Sequence, residues 1–145
     1  MKSPAPHLSR WLFFCCFLVG LIIIVGAITR LSGSGLSIVE WKPLMGALPP
    51  LNEAQWQHVF DLYKQSPQYI KENSWMSLAD FKAIFFWEWF HRLLGRLIGL
   101  AYALPLLWFF FRKQIPSGAG IKLIGVLLLG GAQGFMGWYM VKSGL

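Results

Sequence analysis

The stretch "WLFFCCFLVGLIIIVGAI", residues 11–28, decides the fold of this chain. It carries no polar side chain apart from the indole of Trp11 and the thiols of Cys15 and Cys16. A helix of this length, rising about 1.5 Å per residue, spans roughly 27 Å, close to the hydrocarbon core of a bilayer. We therefore predict a first membrane-spanning helix over residues 11–29.

The composition of the whole chain agrees with a membrane location. Of its 145 residues, 56% are hydrophobic and 13% are charged, whereas a soluble domain averages about 25% charged residues. The net charge is +7, but the basic residues flank apolar runs and do not gather on a polar domain. That arrangement is typical of membrane topology and argues against a nucleic-acid partner.

A cleaved signal peptide is the alternative interpretation of the first apolar run. The run is long, and no clear small-x-small cleavage site follows it, so we expect the segment to be retained. The adjacent Cys15 and Cys16 are interpreted as small apolar residues of this helix.

Two further spans are predicted, over residues 83–111 and 122–142. The purely apolar part of the second span, from Leu97 to Phe111, has only 15 residues, so this helix has to include the polar residues before it. Pro105 is expected to kink it. A basic turn, residues 112–121, joins the two spans. The predicted fold is an all-α integral membrane protein with three transmembrane helices.

Residues 30–82 form the main polar segment, which we expect to contain short amphipathic helices. Apolar residues recur at helical spacing after Asn52, a good N-cap, and Ser77 with Asp80 predicts a capping box at a second helix start. The tryptophans and tyrosines of this segment suit a membrane interface.

The charge distribution predicts the topology. Basic residues occur in the N-terminal segment 1–10 and in the turn 112–121, while five of the six acidic residues lie in residues 30–82. The positive-inside rule then places residues 1–10 and 112–121 in the cytoplasm and residues 30–82 outside.

The second predicted span contains the string "FFWEWFHRLLGR", residues 85–96. Two neighbouring stripes with a spacing of four residues run along it: Glu88, Arg92 and Arg96 on one, and His91, Gly95 and Gly99 on the other. Taken singly, these residues are explained by an internal ion pair, a structural histidine and a helix-packing face. Taken together, ionisable residues within a span are rare and usually mark a functional site.

This pattern matches what a haem requires of a helix. An imidazole ligates iron, glycine one turn away leaves space for the macrocycle, and guanidinium groups pair with propionates. Arg92, Arg96 and Arg30 are the candidate propionate partners. An ion site of a transporter at Glu88 and Arg92 is an alternative, although such a site has no need of the glycine stripe.

Four strings resemble haem A synthase of the mitochondrial and proteobacterial type. They are "GAITRLSGSGLSIVEWKPLMGALPP", "W..VFDLYKQSPQY", "MSLADFKAIFFWEWFHRLLGR" and "GGAQGFMGWYMVKSGL", and they follow the order of that family. The resemblance extends over residues 20–145. It implies an enzyme that oxidises the C8 methyl group of haem O to the formyl group of haem A, for cytochrome c oxidase.

The resemblance implies eight membrane helices in two four-helix halves, one binding haem b and the other accepting haem O. This chain then supplies three helices of the N-terminal half and stops before the expected fourth, so we expect it to be inactive without the missing C-terminal part. His91 corresponds to an axial ligand of haem iron, and Glu88 to an acid implicated in catalysis. The cysteine pair that some members carry in the first outer loop is absent here.

The resemblance also implies a setting. We expect a bacterial inner membrane, or the mitochondrial inner membrane, with the N-terminus on the cytoplasmic or matrix side. Membrane lipid, haem O, haem O synthase and an electron donor are the expected partners, and a homo-oligomer is compatible with them. The alternative function is a non-catalytic b-type haem membrane protein or a cytochrome oxidase assembly factor.

Overall fold

The computed structural model describes residues 6–40 and 45–143, and these residues are helical or irregular, with no strand among them. Four α-helices follow one another: α1 Pro6–Leu31, α2 Glu53–Lys64, α3 Leu78–Phe111 and α4 Ala119–Ser143. A short 3-10 turn, Met45–Ala47, and a π-helical turn, Tyr69–Asn73, lie in the segment between α1 and α3.

Three of these helices are long and apolar enough to cross a membrane. The mean hydropathy of their most apolar windows is 2.9 in α1, 1.7 in α3 and 1.5 in α4. This confirms the predicted all-α membrane protein with three spanning helices. All three helices begin earlier than the predicted spans, since α1 starts at Pro6, α3 at Leu78 and α4 at Ala119.

The spanning helices meet in an apolar cluster toward the beginning of α1, which we call the inner cluster. It joins Trp11 of α1 to Tyr102 and Phe109 of α3, with ring centroids 5.0 and 5.4 Å apart. Buried Leu123 brings α4 into the same cluster, and its carbonyl accepts a hydrogen bond of 3.0 Å from the Tyr102 hydroxyl. The helices α1 and α3 therefore pack antiparallel along their length.

α3 continues through Pro105, which sits inside the helix. Because proline has no backbone N–H, the carbonyl of Ala101, one turn earlier, loses its usual helical donor. The indole Nε1 of Trp11 donates to that carbonyl at 2.8 Å. A backbone carbonyl within a membrane needs such a partner, so α1 supplies the hydrogen bond that Pro105 removes from α3.

A second cluster, which we call the outer cluster, packs the segment between α1 and α3 onto the start of α3. Its buried members are Phe60, Tyr63, Phe81, Ile84 and Phe85. Tyr63 and Phe81 are completely buried and stack with ring centroids 5.1 Å apart. Burial raises the pKa of the Tyr63 phenol, whose oxygen accepts a hydrogen bond from Asn73.

The predicted helix starts of this segment are confirmed. The Asn52 side chain accepts a hydrogen bond of 2.9 Å from the backbone N–H of Gln55. Ser77 and Asp80 form the capping box of α3. Trp75 is 70% exposed, and the prediction that aromatic residues of this segment lie at the membrane interface stays a prediction.

Candidate functional site

Glu88 lies on α3, deep in the structure, and only 3% of it is exposed. Its Oε2 accepts a hydrogen bond of 2.7 Å from the Ser37 hydroxyl and one of 2.9 Å from the backbone N–H of Ile38. Its Oε1 accepts a hydrogen bond from Arg92. A peptide N–H and a guanidinium can only donate, so these contacts suit a carboxylate.

Two of these donors come from the segment that follows α1. The helix ends in a turn in which Gly33 adopts a φ of +67°, a conformation that glycine tolerates without steric cost. The Ser34 N–H donates to the Thr29 carbonyl at 2.9 Å, and residues 34–40 then run across α3. We call residues 34–40 the strap. Ser34 and Ser37 are buried at 0% and 1% exposure.

Arg92 joins the strap to Glu88 from the other side. Its Nη2 donates to the Glu88 carboxylate and, at 2.9 Å, to the Ile38 carbonyl. Its Nη1 lies 3.4 Å from the Glu40 carbonyl. Ion pairs in a poorly hydrated site are stable only when their remaining hydrogen-bonding positions are also satisfied. The strap provides these contacts for both members of the pair.

His91 is half-buried and faces α1. A β-carbon placed on Gly26 would lie 3.2 Å from Nε2 of His91, closer than most real contacts of that kind. A side chain at residue 26 would therefore force the imidazole or α1 to shift by a few tenths of an ångström. Thr29, one turn further along α1, is close to the Trp87 carbonyl, with its Oγ1 at 3.3 Å.

Two glycines of α3, Gly95 and Gly99, lie one and two turns beyond His91. A β-carbon on Gly95 would lie 3.7 Å from Cδ1 of Ile22, and one on Gly99 would have nothing within 4 Å. Gly99 therefore leaves room on the same helix as the imidazole, whereas a β-carbon at Gly95 would touch Ile22 of α1. The residues present fit a haem, with His91 as the one imidazole near the Glu88 site among the described residues.

The structure brings together some of the predicted site residues. Glu88 and Arg92 are in direct contact, and His91 follows Glu88 by one turn of α3. Arg96 is half-buried one turn beyond Arg92, and Arg30 is exposed in the last turn of α1. Their predicted contacts with haem propionates stay predictions.

Sequence reasoning missed Ser37, Ile38 and Gly26. The string "SGSGLS" after α1 indicated a turn, but its spacing does not say which hydroxyl reaches α3. Gly26 was part of an apolar run with no sign of a contact. No group of three or more histidine, cysteine, aspartate or glutamate residues arranged for a metal ion occurs within residues 6–40 and 45–143.

A family model described as "Cytochrome oxidase assembly protein" matches residues 9–145, nearly the whole chain. The chain belongs to the cytochrome oxidase assembly protein family. The Glu88 site is therefore a feature of a member of this family, and so is the α1–α3 pair that carries it.

Related members have closely similar sequences. The protein named heme A synthase of Nitrosospira multiformis is 58% identical over 95% of this chain. Those of Nitrosomonas eutropha and Novosphingobium aromaticivorans are 56% and 53% identical, over 95% and 99% of it. The chain spans only 39 to 42% of the length of these three relatives. No solved structure matches this chain.

Proposed function

We propose that this chain forms the N-terminal part of a haem A synthase, which oxidises the C8 methyl group of haem O to a formyl group. Its relatives of that name are more than half identical to it. The observation that carries the proposal is a buried carboxylate, Glu88, fixed by three donors one helical turn before His91. An ionisable side chain buried within a membrane span costs free energy, and such residues usually mark functional sites.

His91 is proposed as an axial ligand of haem iron. An imidazole is the common protein ligand of haem, and Gly99, two turns further along α3, leaves the adjoining surface open. A bound haem, haem O as substrate or haem b as electron carrier, supplies the iron-centred redox chemistry. The second axial ligand is expected from the part of the enzyme beyond residue 145.

Glu88 is proposed as the catalytic acid residue of this site. A carboxylate has about four acceptor positions, and the three donors leave about one for a proton or a water molecule. Its fixed position also allows it to stabilise positive charge that develops at the oxidised methyl group, since groups that are already oriented need no reorganisation. Both roles require the carboxylate to stay where the strap holds it.

Arginine side chains are proposed to bind the haem propionates. Arg96 and Arg30 are the first candidates, because Arg92 already bonds to Glu88 and to the strap. Arg92 also remains a candidate propionate partner, because a guanidinium carries five N–H donors.

The proposed setting is a bacterial inner membrane, with the N-terminus in the cytoplasm and the strap on the outer side. Membrane lipid, haem O, haem O synthase and an electron donor are the proposed partners, and cytochrome c oxidase is the proposed destination of haem A. The alternative proposal is a non-catalytic b-type haem protein or an assembly factor, and the description of the family as cytochrome oxidase assembly proteins favours the latter.

The test measures haem absorption and conversion of haem O in variants of the complete polypeptide that contains residues 1–145. His91→Ala should lose the absorption of the haem that it ligates. Glu88→Gln should keep the haem and convert haem O about 100-fold more slowly, as expected when one group that stabilises developing charge is removed. Glu53→Gln is the matched control, because that acidic side chain is 74% exposed on α2.

Each alternative has its own result. Full conversion of haem O by Glu88→Gln would remove the catalytic role and leave a structural ion pair. Haem binding without any conversion by the unmodified protein would favour the non-catalytic alternative. A protein without a Soret band would leave the transporter interpretation.

A further inference from the structure

We propose that Ser37 is a positioning residue, which holds the carboxylate of Glu88 in the orientation that the reaction requires. This inference rests on the proposed function of Glu88. It concerns a residue of the segment after α1, 51 positions away in sequence from the carboxylate that it contacts.

The contact has the geometry of a strong hydrogen bond. Ser37 Oγ donates to Glu88 Oε2 at 2.7 Å, and both residues are buried, with 1% and 3% exposure. Hydrogen bonds to ionised groups are roughly twice as strong as those between neutral groups. Water has little access to this buried site and cannot readily replace the Ser37 hydroxyl as a donor. Removal of the hydroxyl should therefore lose the whole contribution of this hydrogen bond.

The two oxygens of Glu88 are held by different kinds of group. Oε1 receives the guanidinium of Arg92, which belongs to the same helix. Oε2 receives the hydroxyl of Ser37 and the N–H of Ile38, which belong to the strap. Arg92 alone would allow the carboxylate to rotate about its last bond, whereas contacts on both oxygens from two segments fix the plane of the group.

The strap has several anchors besides the Ser37 hydroxyl, which also lies 3.5 Å from the Ile84 carbonyl of α3. Arg92 binds the Ile38 carbonyl, and the Ser34 N–H binds the Thr29 carbonyl at the end of α1. The Gln68 side chain donates to the Gly33 carbonyl at 2.9 Å. Removal of the Ser37 hydroxyl should therefore leave the strap in place and weaken the hold on Oε2, which would keep only the Ile38 N–H as a donor.

The experiment is a double-mutant cycle in the complete polypeptide that contains this chain, with haem content measured alongside conversion of haem O. Ser37→Ala should lower kcat about tenfold, as loss of a hydrogen bond to a charged group does. KM for haem O should change by less than about twofold, because the contact does not touch the substrate. Ser37→Cys, which keeps a weak donor, should recover part of the lost kcat.

The decisive measurement is the combination with Glu88→Gln. If Ser37 acts through Glu88, adding Ser37→Ala to Glu88→Gln should lower kcat by less than about twofold further, whereas independent effects would multiply. Ser32→Ala is the control, since Ser32 lies in the turn just before the strap and its hydroxyl bonds to Ser34 and Thr29 but not to Glu88. It should behave like the unmodified enzyme.

Two results would overturn the inference in different ways. If Ser37→Ala keeps full kcat while Glu88→Gln is impaired, Ser37 does not position the carboxylate and the proposed function of Glu88 stands. If both variants keep full kcat, the role of Glu88 and the inference fail together. A loss of haem by Ser37→Ala that Ser37→Cys does not restore would assign Ser37 to folding, against the inference.

Discussion

Gly26 is a residue of α1 that lies beside the imidazole of His91. Gly26→Ala would place a methyl group 3.2 Å from Nε2 of His91, so the ring or the helix has to move by a few tenths of an ångström. Because iron ligation depends on the direction of the imidazole, we expect the haem content of the complete protein to fall about threefold to tenfold.

The matched control for this prediction is Gly20→Ala on the same helix. A β-carbon on Gly20 meets nothing within 4 Å, and alanine is favoured over glycine in a helix by about 1 kcal/mol. Gly20→Ala should therefore keep the full haem absorption. Equal haem content in both variants would show that the approach of α1 does not orient His91.

At the residue scale, the sequence predicted the members of the site that share one helix. Glu88, His91 and Arg92 follow from a spacing of four residues and from the rarity of charge within a span. Ser37 and Gly26 could not be predicted in this way, because their contacts depend on how the chain turns after α1 and on the rotation of α1 against α3. Periodicity describes one helix and carries no information about a neighbour.

At the scale of elements, α1 and α3 share a hydrogen bond between Trp11 and the carbonyl of Ala101 that Pro105 leaves without a helical donor. Trp11→Phe keeps an aromatic ring in the inner cluster and removes the donor. We expect it to lower the free energy of unfolding by about 1 to 3 kcal/mol, the cost of an unsatisfied buried polar group. Thermal unfolding in detergent measures this loss.

Pro105→Ala provides the decisive partner for that variant. Alanine restores the backbone N–H at residue 105, so Trp11→Phe should cost about 1 kcal/mol less in the Pro105→Ala background. Trp108→Phe is a suitable control, because Trp108 lies on α3 near Pro105 and is 57% exposed. Equal costs of Trp11→Phe in both backgrounds would mean that the indole contributes through packing alone.

The elements themselves were largely predictable from local signals. Asn52 and the Ser77–Asp80 capping box fixed two helix starts, and hydropathy identified the three spanning helices. The π-helical turn at Tyr69–Asn73 was not predicted. Its side chains pack on the outer cluster, where Tyr69 meets Phe60 and Tyr63, and such tertiary contacts leave no regular pattern in the sequence.

At the scale of the whole molecule, the orientation in the membrane is open to a direct test. The basic segments before α1 and between α3 and α4 predict that the strap and α2 face away from the cytoplasm. Ala54 is an exposed residue of α2. In a protein whose Cys15 and Cys16 are replaced by serine, Ala54→Cys should react with a membrane-impermeant maleimide in intact cells.

Ser117→Cys, in the exposed turn before α4, is the matched variant. It should react only after the membrane is opened. The reverse pattern of labelling would invert the predicted topology and place the Glu88 site near the cytoplasmic surface.

The strap has a consequence for biogenesis. It is translated before α3, and with the predicted orientation it has already been exported when α3 enters the translocon. Arg92 enters the bilayer with Glu88 on the same nascent helix, so its charge neutralises the carboxylate during insertion. Ser37 and Ile38 are then already on the outer side, where the carboxylate can bond to them. The carboxylate thus gains its partner from its own helix first and its partners from the strap second, although the strap is the earlier part of the chain to be synthesised.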